Sequence, residues 1–186
     1  MKLDVSPLSI PAVKLIRTTR FSDQRGYFAE TYVHRDFAAA GLINDFIQDN
    51  QSASIAKGTV RGLHFQTSPF AQAKLIRVLR GKILDVAVDL RRSSSSYGKH
   101  IAVELDAKAG DQLLVPAGFA HGFCTLEDHT EVFYKVDAVY SPAHDCGVNW
   151  ADPALAIHWP VMERQAILSD KDRTWPPLNA LPAYFE

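Results

Sequence analysis

The sequence predicts an all-β fold, a sandwich or closed barrel, on three observations. Short β-rich runs bounded by Gly, Pro, Ser or Asp recur through the middle of the chain at a spacing of roughly 8 to 12 residues. Only one stretch, HRDFAAAGL from His34 to Leu42, reads as a helix. No repeat, low-complexity tract or linker divides the 186 residues, which predicts one domain over 1–186 with enough apolar residues, 47%, to bury a sizeable core.

Taken in order, Val13 to Thr18 reads as a strand. FSDQRGYFAETYV then sets Asp23 and Gly26 at a turn before a second strand, Tyr27 to Val33. The helix is rich in Ala and closed by Gly41. Phe46 to Ser54 is polar for a strand, which fits a solvated edge or, in a barrel, a face turned to a polar ligand. Val60 to Gln66, Ala73 to Leu79, Lys82 to Leu90, His100 to Leu105, Gln112 to Val115, Phe119 to Leu126 and Glu131 to Tyr140 follow as strands. After Tyr140 the pattern loosens into SPAHDCGVNWADPALAIHWP and ends in LSDKDRTWPPL. These segments are expected to wrap the barrel irregularly, with Trp150, Trp159 and Trp175 as anchors.

Bulk properties exclude several classes. The 20 basic and 21 acidic residues give no nucleic-acid or membrane signature, so any phosphate binding must come from local basic residues. MKLDVSPLSIPAV has an acidic residue and two prolines where a signal peptide needs an apolar run. No stretch nears the roughly 18 apolar residues of a membrane span, so a soluble, cytoplasmic protein is expected. Cys124 and Cys146 are too few for a disulfide framework; one bridge stays open, and a reduced cytoplasm is the simpler reading.

Two stretches carry the chemistry. GDQLLVPAGFAH fits the pattern G-x5-P-x-G-x2-H through Gly110, Pro116, Gly118 and His121, and GTVRGLHFQTSPFAQAKLIRVLRG, from Gly58 to Gly81, answers it. Together they resemble the two motifs of the cupin barrels, which implies a cupin-type jelly roll. Metal cupins read G-x5-H-x-H and then a Glu seven residues before the closing Gly. Here His64 stands in the first slot, but Gln66 replaces the second His and Lys74 the Glu. Lysine presents donors and no acceptor, so no metal is expected; a fixed ammonium in that place can instead stabilise an oxyanion.

Period-two alternation places side chains. With His64 facing the cavity, Val60, Gly62 and Gln66 share its face; Gln72, Lys74 and Ile76 share one parity, as do His121 and Phe123, and Tyr134, Val136, Ala138 and Tyr140. Arg61 falls on the face opposite His64 and needs a bulge at Gly62, or a neighbouring cavity, to join the site.

At RGLHFQ, QAKLIRVLRGKILDVAVDLR, VPAGFAHGF and LSDKD the resemblance narrows to the dTDP-4-dehydrorhamnose 3,5-epimerase family, over nearly the whole chain. It implies a homodimer acting on a dTDP-4-keto-6-deoxyhexose without a cofactor. It also implies His64 as base paired with Asp172, Tyr134 as acid, and Lys74 as the stabiliser of the enolate. Arg25, Glu30, Gln48, Asp49, Asn50 and Lys171 match positions that hold the nucleotide diphosphate or sugar, and Tyr140 matches the ring stacked on thymine. Arg61 and His121 are implied beside the O4 charge. At Asp145 the family often has Glu, and the shorter acid needs a water or a shifted loop to reach the same partner.

The chemistry asks for these residue types. A C4 ketone acidifies the C3 and C5 protons, a base held by a carboxylate removes one, and inversion requires a second donor on the opposite face. Blander roles stand beside each: a satisfied core histidine for His64, a barrel-mouth hydrogen bond for His121, a solvated strand lysine for Lys74, core aromatics for Tyr134 and Tyr140, and turn residues for Asp172 and Arg25. Competing functions are a single-carbon epimerase or ketoisomerase on a related sugar, a metal-dependent cupin oxygenase or isomerase, and a non-catalytic sugar-binding module.

Overall fold

The chain's β-rich runs resolve into thirteen strands in a computed structural model that describes residues 3–186. Met1 and Lys2, which open the stretch read against a signal peptide, lie outside the described residues. In chain order the strands are β1 (Leu3–Pro7), β2 (Lys14–Thr18), β3 (Arg20–Asp23), β4 (Gly26–Ala29), β5 (Gln48–Ser54), β6 (Val60–Gln66) and β7 (Lys74–Arg80). They continue as β8 (Lys82–Asp89), β9 (His100–Asp106), β10 (Gln112–Val115), β11 (Phe119–Thr125), β12 (Thr130–Val136) and β13 (Asp145–Gly147). Two short helices, α1 (His34–Ala39) and α2 (Asp170–Thr174), complete them.

One antiparallel sheet runs β1-β2-β10-β7-β12-β5, a second runs β13-β6-β11-β8-β9, and β3 pairs with β4 as a separate hairpin. Between β5 and β12 the chain passes back and forth between the sheets, giving the two facing walls of a cupin-type jelly roll. Between the walls lie Ile76 and Val78 of β7, Ile83 and Ala87 of β8, Leu113 and Val115 of β10, and Phe119 and Phe123 of β11. The other face of the second sheet is not left to water. Val60, Leu63, Val86, Val88, Ala120 and Cys124 pack there under the C-terminal wrap, against Val148, Trp150, Leu155 and Leu178. Burial on both faces explains why KILDVAVDL shows no polar alternation.

Helix α1 has only six residues and no side-chain cap, so its stability comes from packing. Phe37 is buried against Ile16, Leu75 and Leu114 on the outer face of the first sheet. Gly41, at φ +79°, turns the chain out of it.

Several boundaries differ from the sequence reading. The hairpin's second strand stops at Ala29 rather than Val33, since beyond it the Thr31 carbonyl accepts from Gln112 and Tyr32 packs on Phe37. The strand from Glu131 stops at Val136 rather than Tyr140. There Asp137 takes over the bonding, its carboxylate accepting the Ala73 N–H at 2.7 Å and the Asn44 amide at 2.9 Å. Strand β1 is additional to the strands read from the sequence; it is an edge strand, where its closing Pro7 is tolerated. Both cysteines are free thiols, so the bridge left open does not form.

Candidate active site

The catalytic candidates converge because β6 and β11 of one sheet and β7 and β12 of the other line one cavity. A cavity of about 460 Å³ lies between the walls, lined by Arg61 and His64 of β6, Lys74 of β7, His121 of β11, Tyr134 of β12, and Asp172 of α2. A neighbouring cavity of about 250 Å³ shares His64, Lys74 and Tyr134 and opens past Gln48, Asn50, Gln66, Tyr140, Asp145 and Lys171.

His64 is oriented by a partner far away in sequence. Its Nε2 makes a short hydrogen bond to Asp172 Oδ1, while the carboxylate is buried. Asp172 is placed by its helix: Ser169 caps α2 and accepts the Asp172 backbone N–H at 3.2 Å. The helix is pinned against the sheet by a parallel bridge between Thr59 and Ile167. Trp175 follows it and seats its indole on Gly147, where a Cβ would stand 2.5 Å from the ring, and meets the His64 ring edge-on at 6.2 Å. Burial opposes ionisation of Asp172, but the hydrogen bond and charge of His64 outweigh it and hold the carboxyl below its usual range. With Asp172 as acceptor, His64 keeps its proton on Nε2 and presents the Nδ1 lone pair.

Lys74 donates weakly to the His64 carbonyl, at 3.4 Å. Burial inside the barrel pushes its ammonium down to about 8, against the opposing pull of Asp85 and Asp145. His121 is the cross-strand partner of His64 and bonds through Nε2 to Asp85 Oδ1 at 2.9 Å. Burial raises the Tyr134 phenol, with the charge of Asp145 adding and that of Arg61 opposing, so it remains a proton donor through neutral pH.

Arg61 reaches the cavity by the irregularity foreseen at Gly62. Pairing of β11 with β6 shifts between His121 and Phe123, and Gly62 sits at φ +133° with its Cα against the opposing backbone. A Cβ there would lie 2.6 Å from Gly122 Cα. The guanidinium bonds to Ser54 Oγ at 3.1 Å and to the Ala53 carbonyl at 2.9 Å.

At the mouth, Tyr140 is 54% exposed, which removes the reading of it as a core aromatic. Its hydroxyl donates to Asp145 at 2.9 Å, and Asp145 is also ion-paired with Lys171. Asp145, at the start of β13, thus holds both Tyr140 and Lys171. Gln48 donates to Asn50 at 2.8 Å. Gln66 is spent on the fold, donating to Phe70 and Val139 carbonyls and accepting the Ser141 N–H. The Lys74 ammonium has no lone pair to give a cation, the Gln66 amide is engaged with three backbone groups, and among the described residues no three His, Cys, Asp or Glu gather as a metal set.

Three expected residues stand elsewhere. Asp49 points to the opposite face of β5 from Gln48 and Asn50 and pairs with Lys135 at 2.8 Å, outside both cavities. Strand alternation forbids three consecutive residues from sharing one face. Arg25 lies at the tip of the β3–β4 hairpin, bound to Asp23, and Glu30 lies just past the hairpin; neither lines either of these two cavities.

Sequence reasoning placed Phe123 on the His121 face, as found, but missed Ser52, Thr59, Ile167, Leu168 and Ser169 in the lining, and Asp85 behind it. The signal for Asp85 was present: an acid inside an apolar strand must have a buried partner.

The chain from residue 7 to residue 180 matches the family model described as dTDP-4-dehydrorhamnose 3,5-epimerase. A dTDP-4-dehydrorhamnose 3,5-epimerase of Sinorhizobium fredii is 51% identical over 179 residues, covering 96% of this chain and 91% of that one. The crystal structure of the Bacillus anthracis enzyme of that name, with TDP and PPi bound, superposes with a TM-score of 0.92 at 49% identity, covering 95% of this chain and 99% of that one. The Legionella pneumophila dTDP-6-deoxy-D-glucose-3,5-epimerase, in complex with dTDP-4-keto-L-rhamnose, gives 0.93 at 37% identity over 98% and 96%.

Proposed function

From the premise that this chain belongs to the dTDP-4-dehydrorhamnose 3,5-epimerase family and is an epimerase of that activity, we propose how its own residues perform the reaction. The substrate is dTDP-4-dehydro-6-deoxy-D-glucose and the product dTDP-4-dehydro-L-rhamnose. The observation that carries the reading is that His64 and Tyr134 line one cavity from opposite sheets, with Lys74 in the same lining.

The hexose lies in the larger cavity, its C4 carbonyl toward Lys74 and His121. His64 Nδ1 removes the proton from C3 or C5, and Asp172 stabilises the imidazolium that forms. Charge develops on O4 as the enolate forms, where the Lys74 ammonium meets it in a shielded site. Tyr134 returns a proton to the other face of the same carbon, which inverts it. The nucleotide diphosphate occupies the mouth, with Lys171 as cation and Tyr140 as a stacking ring, while Arg61 lines the hexose cavity. No step uses a metal or a cofactor, and activity is expected to survive exhaustive chelation.

A homodimer accounts for the residues left outside. The β3–β4 hairpin exposes Phe21, Tyr27 and Phe28, more apolar surface than a free hairpin keeps in water. A second copy covering it brings Arg25 and Glu30 toward the partner's mouth. Residues 1–186 act as one domain, and the two free thiols fit a reducing cytoplasm.

The test is deuterium exchange in heavy water followed by proton NMR. His64→Ala should stop both exchange and inversion. Tyr134→Phe keeps the base, so it should admit deuterium at C5 while yielding far less inverted sugar. Inversion at the wild-type rate in Tyr134→Phe would remove the phenol from the acid role, and binding of the sugar nucleotide with no exchange in the wild type would leave a non-catalytic sugar-binding module.

A further inference from the structure

Four side-chain polar atoms among the described residues are buried without a hydrogen-bond partner: Ser52 Oγ, Arg77 Nε, Asp85 Oδ2 and Trp175 Nε1. Of their residues only Ser52 lines the larger cavity. It stands on the same face of β5 as Gln48, Asn50 and Ser54. The others on that face are engaged: Gln48 with Asn50, and Ser54 with Arg61 at 3.1 Å. Buried hydroxyls in folded proteins almost always have a partner, and an unmet one lowers stability.

We propose that Ser52 is a substrate-binding residue whose hydroxyl bonds a secondary ring hydroxyl of the hexose, at C2 or C3. A serine hydroxyl both donates and accepts, as a sugar hydroxyl does, so the two match in either direction. The C4 oxygen is matched instead by Lys74, which only donates. Ser52 also sits across from Val132, two residues from Tyr134 on β12, so it grips the ring on the wall that carries the acid. The assignment rests on the hexose occupying this cavity, as proposed above.

The experiment compares wild type and Ser52→Ala on the natural sugar nucleotide and on its 2-deoxy and 3-deoxy analogues, following exchange and inversion at C5. On the natural sugar, Ser52→Ala should lower kcat/KM by about tenfold, mainly through KM, because one neutral hydrogen bond made equally in ground and transition states is lost. On the analogue lacking the matched hydroxyl the two proteins should agree within about twofold. Ligand-free Ser52→Ala should melt no lower than wild type, because an orphan polar group has been removed. Equal kcat/KM on the natural sugar, or the same tenfold loss on both analogues, would overturn the assignment. A wild type that fails to invert C5 would instead overturn the placement of the hexose.

Discussion

Two His–Asp pairs sit side by side on one sheet and differ in how they are built. His64 is 32% exposed and takes its acid from α2, 108 residues further along. His121 is 8% exposed and takes its acid from the adjacent strand β8, where Asp85 is wholly enclosed. The two imidazoles are in register across β6 and β11. The open ring can reach a substrate proton; the closed ring is fixed in place. One pair forms only when the C-terminal wrap docks, whereas the other is complete once the sheet has paired.

The strongest break of this contrast is at the rings. His64→Ala should lower kcat by about a thousandfold or more with no exchange, as expected for loss of a general base. His121→Ala should retain measurable exchange, and a reversed order would exchange the roles of the two rings. Lys74→Ala should cost about a hundredfold or more in kcat, the scale of a lost oxyanion donor. A small effect would move that role to Arg61.

The carboxylates sharpen the comparison. Asp172→Asn should lower kcat by about a hundredfold, through the wrong tautomer and loss of imidazolium stabilisation. Asp85→Asn should cost only about tenfold, since it changes a ring that does not carry the proton. Equal losses would mean that both pairs handle protons.

The pH profile separates the lysine from both pairs. Activity should fall on the alkaline side near pH 8, where Lys74 loses its proton. Between that value and about 10.4 an unfolded lysine still holds its proton, so the unfolded state binds more protons and the Lys74 contribution to stability rises with pH. Rate and melting temperature should therefore diverge over this window; a parallel decline would place the alkaline loss in unfolding. The Asp172 contribution has the same sign in a lower window. It is whole above about pH 4 and is lost as pH falls through the lowered folded-state value.

The smallest effect is expected outside both cavities. Asp49→Ala should leave kcat/KM within about twofold of wild type, since it breaks only a partly exposed pair with Lys135. Asn50→Ala, on the cavity side of the same strand, should raise KM several times more.

Motif spacing made His64, Lys74 and His121 legible, because residues on short strands inherit their facing from a two-residue period. The same rule rejects Asp49, which the resemblance had carried in with its neighbours. Resemblance alone brought in Asp172, whose distance from His64 along the chain has no local signature. Ser52 had none either: a serine on a polar strand stands out only when every neighbour on its face has a partner and it has none.

The sequence by itself determined the all-β class, most strand positions, the lysine in a metal ligand's slot and the family. These are local properties, set by alternation, turn residues and fixed spacing. The pairing of β6 with β11, the bulge that turns Arg61 to the cavity, the burial of Asp85 beneath His121 and the arrival of Asp172 were decided only by tertiary structure. Each depends on which strands become neighbours and how closely their backbones approach, and a chain read one residue at a time holds no measure of either.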